Sequence, residues 1–537
     1  MIKFGLGIAL LLFAVCIILF GCFSPYTGGN EGLIIINLGG SEINNNISSA
    51  AYTGTGFERA GLWPPQDYGI LNQIEHRIKL TGNSTISLTA NGGSTVRVNV
   101  SPGLWNISIE AFYNGVLYAA GSDGVDVKAG QPNPVTINMT QSDNLFLLVS
   151  NLTEWNTACT TITGSPAQNY VINITDNFNI PSTGTNTFGT AANITLTSSG
   201  NRILTLSNNG SLLIISGNQT VTIQNLELKG HISNNAALIQ VNNNGKLVLR
   251  SGARISGNTY TTSTTVTGGA GINVNNGTLE IAGGEVSDNI VNGSVTNIGG
   301  GGIFAANNST LLMTSGAIRG NSISNNSSGS TASRGGGIYM VNSGYFEMTG
   351  GIIENNSVTT TSTTASSHSH GGGVAFYTGI SFDLKGGTIR NNTCHAIAGD
   401  NFGSSAGGGV FFNGNDFIMS GGIISGNRTT HSVDPNKSYG IGDRFIDGAY
   451  GGGIYLDFAG STVKNGGIIY GSEVSGNDAS GIPLRNRAQS DGSGLGGGHA
   501  VFYNTDLEMV LKHWRNSTAY ANNNMYSDTP GSGGGWD

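Results

Sequence analysis

Charged side chains are scarce in this chain of 537 residues. Asp, Glu, Lys and Arg make up 10% of it, whereas ordinary globular domains contain roughly 25%. The net charge is −8, so the sequence offers no basic surface for nucleic acid, and we expect no nucleic-acid partner. Hydrophobic residues nevertheless amount to 38%, which excludes a disordered chain of low complexity.

Cysteine is also scarce, with four residues in total. Cys16 and Cys22 lie in or beside an N-terminal apolar run, which leaves Cys159 and Cys394. The repeat described below places about seven units between these two, and at ~4.8 Å per unit the separation is roughly 30 Å. A disulfide needs Cα atoms within about 7 Å, so we expect both thiols to stay unpaired.

Metal-binding spacings are missing as well. Three neighbouring segments carry His368 and His370, then Cys394 and His395, then His431. None of them shows the short fixed spacing of a zinc site, so we expect no metal and no cofactor.

The longest insertion in the second half of the chain, residues 428–450, is also its most charged segment. It carries the residues among which acid–base chemistry would be sought: Asp434, Asp443, Arg444 and Asp447. A solvated loop is the favoured interpretation of this insertion.

What the chain has in abundance is glycine, 86 residues, together with a recurring asparagine. Seven asparagines end the same short motif, three residues after Ile or Val: Asn258, Asn289, Asn321, Asn356, Asn392, Asn427 and Asn477. The first six lie 31, 32, 35, 36 and 35 residues apart, and a period of this size indicates a stacked repeat. Stacked amides bond to one another, so we predict a structural asparagine ladder.

One unit, residues 335–356, shows the pattern. Gly335–Gly337 leads into Ile338–Met340, a turn leads into Phe346–Met348, and two more glycines precede Ile352-Ile353 and Asn356. This predicts three short strands per unit, with glycine at the corners because it tolerates positive φ and close backbone approach. The segments after the ladder asparagines vary in length, and we expect them to be loops.

Alternation along these strands assigns their faces. The first strand places two stacks inward: Ile272, Ile303, Ile338, Val374, Val410 and Ile454, then Val274, Ala305, Met340, Phe376, Phe412 and Leu456. The second strand adds two more: Leu279, Leu311, Phe346, Phe382, Phe417 and Leu507, then Ile281, Met313, Met348, Leu384, Met419 and Met509. Thr462-Val463-Lys464 does not fit these stacks, so we expect an irregular unit there.

The outward residues are where function is sought. On the first strand, four of six outward positions are aromatic: Phe304, Tyr339, Phe411 and Tyr455. We predict a ligand-binding stripe for sugar rings or a partner protein, although rings covered by loops are an alternative. The outward column of the second strand includes Glu280, Glu347, Asp383 and Glu508, which favours a solvated face.

The N-terminal residues 1–21 read as an export signal. Lys3 precedes the apolar run Phe4–Phe20, and Leu19–Cys22 resembles the bacterial lipoprotein lipobox. This resemblance implies acylation of Cys22, a tether over residues 22–30, and a bacterial cell-envelope location on the outer membrane or cell surface. An uncleaved anchor helix or an ordinary signal peptide remains the alternative.

Residues 31–142 predict a separate small β domain. Several short strands alternate apolar and polar residues, and turn signals such as Asn91-Gly92-Gly93 and Asn114-Gly115 separate them as hairpins. This pattern is typical of a β-sandwich of immunoglobulin-like or transthyretin-like type. The repeat region, residues 145–537, begins with a predicted helix over Glu154–Thr161, with Asn151 or Thr153 as its cap.

Two resemblances follow from the repeat. Thr222–Leu228 resembles a coil of the pectin-lyase-like superfamily, and the Gly-Gly-x-Ile units resemble bacterial surface proteins such as polymorphic outer-membrane proteins and adhesins. They imply an all-β chain in which the sandwich precedes a right-handed parallel β-helix of about ten rungs. The implied role is non-catalytic adhesion, with a polysaccharide or a cell-surface protein as partner.

The superfamily also contains polysaccharide lyases and hydrolases, which is the alternative function. Of the motifs of polygalacturonase-like enzymes, Asn504-Thr505-Asp506 occurs only near the C-terminus, and Arg77-Ile78-Lys79 lies in the N-terminal domain. Asp-Asp and Gly-His-Gly are absent. A glycosidase needs two carboxylates at one bond, and no unit of the repeat pairs them in sequence.

Overall fold

The computed structural model describes residues 31–38, 57–58, 71–142, 144–164, 169–189, 192–263, 266–399, 403–433, 448–457, 461–469, 486–491, 495–497, 501–503 and 526–527. They form two compact units. The division falls after Asn144, except that residues 57–58 belong to the second unit. The chain is all-β apart from one short helix in the described ranges.

The first unit contains two sheets. In spatial order, the three-stranded sheet consists of Thr95–Val100, Gly32–Asn37 and Pro132–Val135. The five-stranded sheet consists of Thr85–Asn91, Ile74–Thr81, Gly103–Tyr113, Val116–Val127 and Thr140–Gln141. One buried cluster joins Ile34 and Ile36 of the first sheet to Ile78, Ile107 and Ile109 of the second, so the two sheets share a core.

One of the two predicted hairpins in this unit is wrong. Asn91-Gly92-Gly93 connects Thr85–Asn91 to Thr95–Val100, but these strands lie in different sheets, so the turn is a crossover. Asn114-Gly115 does close a hairpin, because Tyr113 pairs with Val116 in antiparallel register. Both of its turn residues have positive φ, 49° and 79°, as this tight turn requires.

The second unit begins with the helix Leu152–Gly164. It starts two residues before the predicted span and ends three residues after it. The Glu154 amide donates to Asn151 Oδ1 at 3.1 Å, and the Ser150 amide donates to Glu154 Oε2 at 2.7 Å, so the N-terminus is capped from both directions. The helix buries Trp155 against the start of the repeat.

Two long sheets enclose the main core of this unit. Sheet I has 18 strands in the described ranges: Phe57–Glu58, Asn144–Val149, Asn169–Ile174, Phe178–Ile180, Asn193–Ser198, Arg202–Leu206, Thr220–Ile223, Leu226–Lys229, Lys246–Arg250, Arg254–Ser256, Thr278–Ser287, Ser309–Arg319, Gly344–Met348, Ile352–Glu354, Ile380–Leu384, Thr388–Arg390, Asp416–Ser425 and Ser461–Ile469. Sheet II has ten: Leu213–Ile215, Ile239–Asn242, Ile272–Asn275, Ile303–Ala306, Ile338–Val341, Val374–Tyr377, Val410–Asn413, Ile454–Leu456, Val501–Tyr503 and Tyr526–Ser527.

Two further sheets of seven described strands each form a second layer, which we call the arm. Sheet III consists of Thr259–Thr262, Ile290–Gly293, Ser322–Ser327, Ser357–Ser362, Thr393–Ala398, Arg428–Val433 and Arg487–Asp491. Sheet IV consists of Val266–Thr267, Asn297–Gly299, Thr331–Arg334, Ser367–His370, Gly403–Ala406, Gly448–Tyr450 and Leu495–Gly497. Successive strands of both sheets pair in parallel, so these long parallel sheets are consistent with a parallel β-helix.

The arm corrects the prediction of three strands and a variable loop per unit. The segments that follow the ladder asparagines are strands of sheets III and IV, and each regular unit therefore contributes four or five strands. The sequence pattern concealed them because their inward positions carry Ser and Thr. Thr360, Ser367 and Ser369 are fully buried between the two sheets.

The predicted inward columns of the main core are confirmed for the described units. Ile338 pairs in register with Val374, and Phe346 pairs with Phe382, with all of these side chains buried. Much of the irregular unit expected near Gly451 lies outside the described ranges, and the pairing of its sheet I strand shifts register between Met419 and Ile423. Thr462 and Lys464 pair in register with Phe417 and Met419, so the backbone stacking continues although the side chains become polar.

Candidate functional site at the corner between sheets II and IV

Several residues singled out in the sequence lie outside the described ranges. They are Cys22 at the N-terminus, Asp434, Asp443, Arg444 and Asp447 in the charged insertion, and Asn477 of the ladder. The acylation site and the loop site therefore remain predictions.

The remaining ladder asparagines, Asn258 to Asn427, are fully buried. From Asn289 onwards each side-chain Nδ2 donates to Oδ1 of the next ladder asparagine at 3.0 Å. The residue stacked on Asn427 is Asn486, which occupies the position that the sequence pattern assigned to Asn477. The motif pointed to Asn477 because it follows Val474 at the usual spacing, whereas Asn486 has no such signal.

The ladder explains the glycine triplets that precede each strand of sheet II. A Cβ atom on Gly373 would lie 2.6 Å from the Gly409 carbonyl oxygen and 3.0 Å from Asn392 Nδ2. Any larger residue would therefore clash with the neighbouring backbone and with the ladder amide. The glycines and the ladder asparagines are thus two parts of one structural device.

The predicted exposed aromatic stripe is instead a buried cluster. Phe304, Tyr339, Phe411 and Tyr455 point away from the main core, but only 4, 9, 1 and 8% of their surfaces are exposed. Sheet IV covers them, since Ala406 and Tyr450 belong to the same buried cluster. The prediction was wrong about exposure because the arm that supplies this cover was not recognised.

The aromatic rings of sheet II pack against one another and against a ring from sheet IV. Along sheet II, ring centroids are 5.7 Å apart for Tyr339–Tyr377, 5.0 Å for Tyr377–Phe411 and 5.2 Å for Phe411–Tyr455. From sheet IV, the imidazole of His370 stacks on Phe411 at 4.3 Å with an interplanar angle of 2°. We call this region the aromatic corner; its members are Phe304, Tyr339, Tyr377, Phe411 and Tyr455 of sheet II with Arg334, His370 and Tyr450 of sheet IV.

A short chain of polar contacts lies at the edge of the aromatic corner. Arg334 and His370 are directly paired positions on adjacent strands of sheet IV, and both are half-buried. The Arg334 guanidinium lies 5.0 Å from the Tyr377 ring centroid. The Tyr377 hydroxyl is hydrogen-bonded to His370 Nδ1.

Burial determines the protonation states of His370 and Tyr377. It lowers the pKa of His370 well below its ordinary value, and the nearby Arg334 and His368 lower it further. It raises the pKa of the Tyr377 hydroxyl, which stays protonated at neutral pH. His370 is therefore neutral at neutral pH. Arg334 is therefore the charged residue among Arg334, Tyr377 and His370.

No carboxylate of the described residues pairs with Arg334. Its Nη1 donates to Asn297 Oδ1 at 2.9 Å, while its Nε is buried and has no hydrogen-bond partner. None of the ion pairs found in the described ranges includes it. A half-buried charge without an opposite charge is unfavourable in a folded protein, which marks the position as a candidate site. Sequence reasoning missed it, although Arg334 and His370 each stand directly before a glycine triplet.

A second polar cluster lies on the outward face of sheet I. The Tyr345 hydroxyl donates to Glu347 Oε2 at 2.8 Å or to Asp383 Oδ2 at 2.9 Å, and Lys385 Nζ lies 2.6 Å from Glu347 Oε2. Glu347 and Asp383 pair in register across neighbouring units, as their place in one predicted outward column implies, whereas the Tyr345 hydroxyl between them was not predicted. Hydrogen bonds from Lys385 and Tyr345 lower the pKa of Glu347, so this carboxylate is ionised and neutralised by Lys385.

The histidines and cysteines of the arm do not converge. Cys394 and His431 are buried, His395 Nδ1 contacts the Thr430 hydroxyl at 2.6 Å, and His368 Nδ1 contacts Ser404. The part of the chain that the structure describes contains no group of three or more His, Cys, Asp or Glu arranged to hold a metal ion. Cys159 and Cys394 are both free thiols.

Within the described ranges, no helix combines the length and apolar character that crossing a bilayer requires. Comparison of the chain with protein-family models, with curated proteins and with solved structures found no match.

Proposed function

We propose that this chain is a lipoprotein of the bacterial cell surface, held in the outer membrane by acyl chains on Cys22. The apolar run before Leu19–Cys22 and the polar tether after it support this anchor. We further infer that the first unit is a β-sandwich spacer, and that the second is a right-handed parallel β-helix of about ten rungs. The shared core of the two small sheets and the unit-to-unit parallel pairing support these assignments.

The role that the geometry supports best is non-catalytic binding of a polysaccharide or of a cell-surface protein. The observation that carries this proposal is the Arg334–Tyr377–His370 chain at the edge of the aromatic corner. It combines a cation that no described carboxylate neutralises with a neutral imidazole and a phenol on two neighbouring sheets. Such a constellation can hold a polar ligand without a rearrangement of the backbone.

A polysaccharide lyase or hydrolase is the second candidate. Its supporting observation is the pair Glu347 and Asp383, which share the Tyr345 hydroxyl. A glycosidase needs one carboxyl group with a raised pKa as proton donor, whereas the contacts of Glu347 lower its pKa. The pair therefore favours a charge-balanced surface over an acid catalyst.

The test uses the full-length acylated protein in detergent, applied to a glycan array and incubated with the same polysaccharides in solution. We expect binding without depolymerisation, and weaker binding by an Arg334→Gln variant, because the site loses its cation. Depolymerisation that disappears in Glu347→Gln would replace the binding role with the enzyme. The Cys22→Ser variant should lose its lipid and no longer partition into detergent; retained acylation would disprove the anchor.

A further inference from the structure

We propose that the aromatic corner binds one anionic group, a sulfate or carboxylate, carried by a polysaccharide, with Arg334 as its primary contact. This inference rests on the proposed binding function and names the chemistry that the site selects. It follows from the charge, the unused hydrogen-bond donors and the size of the corner.

The charge of the corner is the first step of the argument. The chain as a whole carries a net charge of −8, so its long-range field repels anions. Arg334 is nevertheless half-buried and enters no ion pair with a described carboxylate, unlike Arg254, which lies within 3.5 Å of Glu227 and within 3.1 Å of Glu285. A ligand anion would supply the opposite charge that the described residues do not, and the interaction would gain from the low dielectric of the corner.

The hydrogen-bond donors of Arg334 are the second step. A guanidinium has five N–H donors and no acceptor, and Arg334 Nη1 donates to Asn297 Oδ1. Arg334 Nε is buried and has no hydrogen-bond partner among the described residues, so unused donor capacity remains at the guanidinium. A site that offers donors and positive charge selects an oxyanion, and the planar guanidinium matches sulfate and carboxylate geometry.

The size of the corner is the third step. Arg334 and His370 occupy adjacent strands of sheet IV, so they span one inter-strand step of roughly 5 Å. The paired positions on either side are small, Gly299 and Ala406, and the Tyr339 ring packs over Gly299. The donors are therefore confined to a length that fits one charged group, while the rest of the ligand would lie beyond the corner.

Aromatic packing offers a structural explanation of the same residues. Arg334 lies over the Tyr377 ring, and this cation–π contact stabilises the corner even without a ligand. The two explanations differ in one respect. A purely structural arginine stabilises the fold equally in the presence and absence of anions, whereas a binding arginine gives affinity that depends on the anionic group.

The experiment compares three dextrans with the same backbone, namely neutral dextran, carboxymethyl dextran and dextran sulfate, binding to the full-length protein in detergent. We expect the two anionic polymers to bind and neutral dextran not to bind. Arg334→Gln should weaken binding at least about tenfold, because hydrogen bonds to charged groups contribute about 1.5–3 kcal/mol. Arg334→Lys should give an intermediate affinity, since it keeps the charge but loses the planar fork.

Arg250→Gln is the matched control, because Arg250 is an exposed arginine of sheet I outside the corner. It should bind both anionic dextrans like the unchanged protein. Equal losses in Arg250→Gln and Arg334→Gln would show diffuse electrostatics and overturn the anion site. Equal binding of neutral and anionic dextrans would also overturn it while leaving a glycan-binding function intact. Binding on the glycan array that survives Arg334→Gln would likewise separate the proposed function from this site.

Discussion

The second unit has two interiors, and they differ in how much they use polar groups. Between sheets I and II the buried residues are mostly aliphatic and aromatic, as in the stack Phe346, Phe382 and Phe417. Sheets III and IV also bury an apolar cluster, which includes Val291, Ile323 and Val358. Next to it they bury Thr360, Ser367 and Ser369, which bond to one another, so this interior combines non-directional packing with directed hydrogen bonds.

This difference shows how one repeat can carry two layers. An apolar column accepts different aliphatic side chains at equivalent positions. The column that contains Met348 also contains Ile281, Met313, Leu384 and Met419. Part of the arm interior depends on polar partners as well, because Ser367 and Ser369 donate to Thr360, although the buried hydroxyls of Ser333 and Thr429 have no hydrogen-bond partner among the described residues. We therefore expect the main core to carry most of the stability of the unit, and the arm to be sensitive to single polar groups.

The largest expected effect comes from breaking the main core. Phe382 stacks on Phe346 and on Phe417 with ring centroids 5.1 Å apart on both sides. Phe382→Ala removes both contacts and leaves a cavity, which costs about 3–5 kcal/mol of unfolding free energy. Urea unfolding followed by circular dichroism measures it.

Ser381→Ala is the control for this substitution, because Ser381 lies on the same strand and its side chain is only partly buried. It should change stability by less than about 0.5 kcal/mol. A loss in Phe382→Ala no larger than in the control would show that the aromatic stack does not carry the stability of the core.

The sequence predicted the main core well for a physical reason. Ile338, Val374 and Phe382 repeat their apolar character at a fixed place in every unit, and strand alternation then decides their face. The ladder was visible because Asn356 and its equivalents recur after an aliphatic residue. In the arm, Thr360 and Ser367 are small and polar on the inward face, so composition does not separate buried from exposed positions.

The sequence predicted the face on which the aromatic residues of the candidate site lie, but not their burial or their polar neighbours. Alternation correctly placed Phe411 and Tyr339 on the face of sheet II that points away from the main core. Their exposure could not be predicted, since it depends on a layer contributed by the segments between the units. Arg334, Tyr377 and His370 come from different strands, and only the pairing of sheet IV brings the first and the third together.

The next expected effect is a pH dependence that affects the arm and not the main core. His370 faces Arg334 and His368 on sheet IV, and Tyr377 and Phe411 on sheet II. Its pKa is lowered in the folded state, so its neutral form contributes stability that is present above the unfolded pKa of about 6.5 and lost as pH falls below it. One proton gives a loss of at most about 1.4 kcal/mol for each pH unit.

Hydrogen exchange of the amides in Ser367–His370, followed from pH 7 down to pH 5 and corrected for intrinsic exchange rates, measures this loss. His76 in the first unit also has a lowered pKa, about 4, so a global unfolding curve would mix the two groups. In His370→Gln the protection of these amides should vary less with pH. An unchanged pH dependence in that variant would assign the effect to other groups.

The smallest expected effect comes from one hydroxyl in the arm interior. Ser369 Oγ donates to Thr360 Oγ1 at 2.7 Å, and Thr360 is fully buried. Thr360→Val keeps the shape but leaves the Ser369 hydroxyl with one acceptor fewer, which costs about 1 kcal/mol.

Thr359→Val is the matched control on the same strand, because Thr359 is only partly buried and points away from Ser369. We expect faster exchange of the amides in Ser357–Ser362 for Thr360→Val alone, with the midpoint of the main unfolding transition nearly unchanged. Equal protection in the two variants would mean that the arm interior is held by packing, as the main core is, and would remove the distinction between the two interiors.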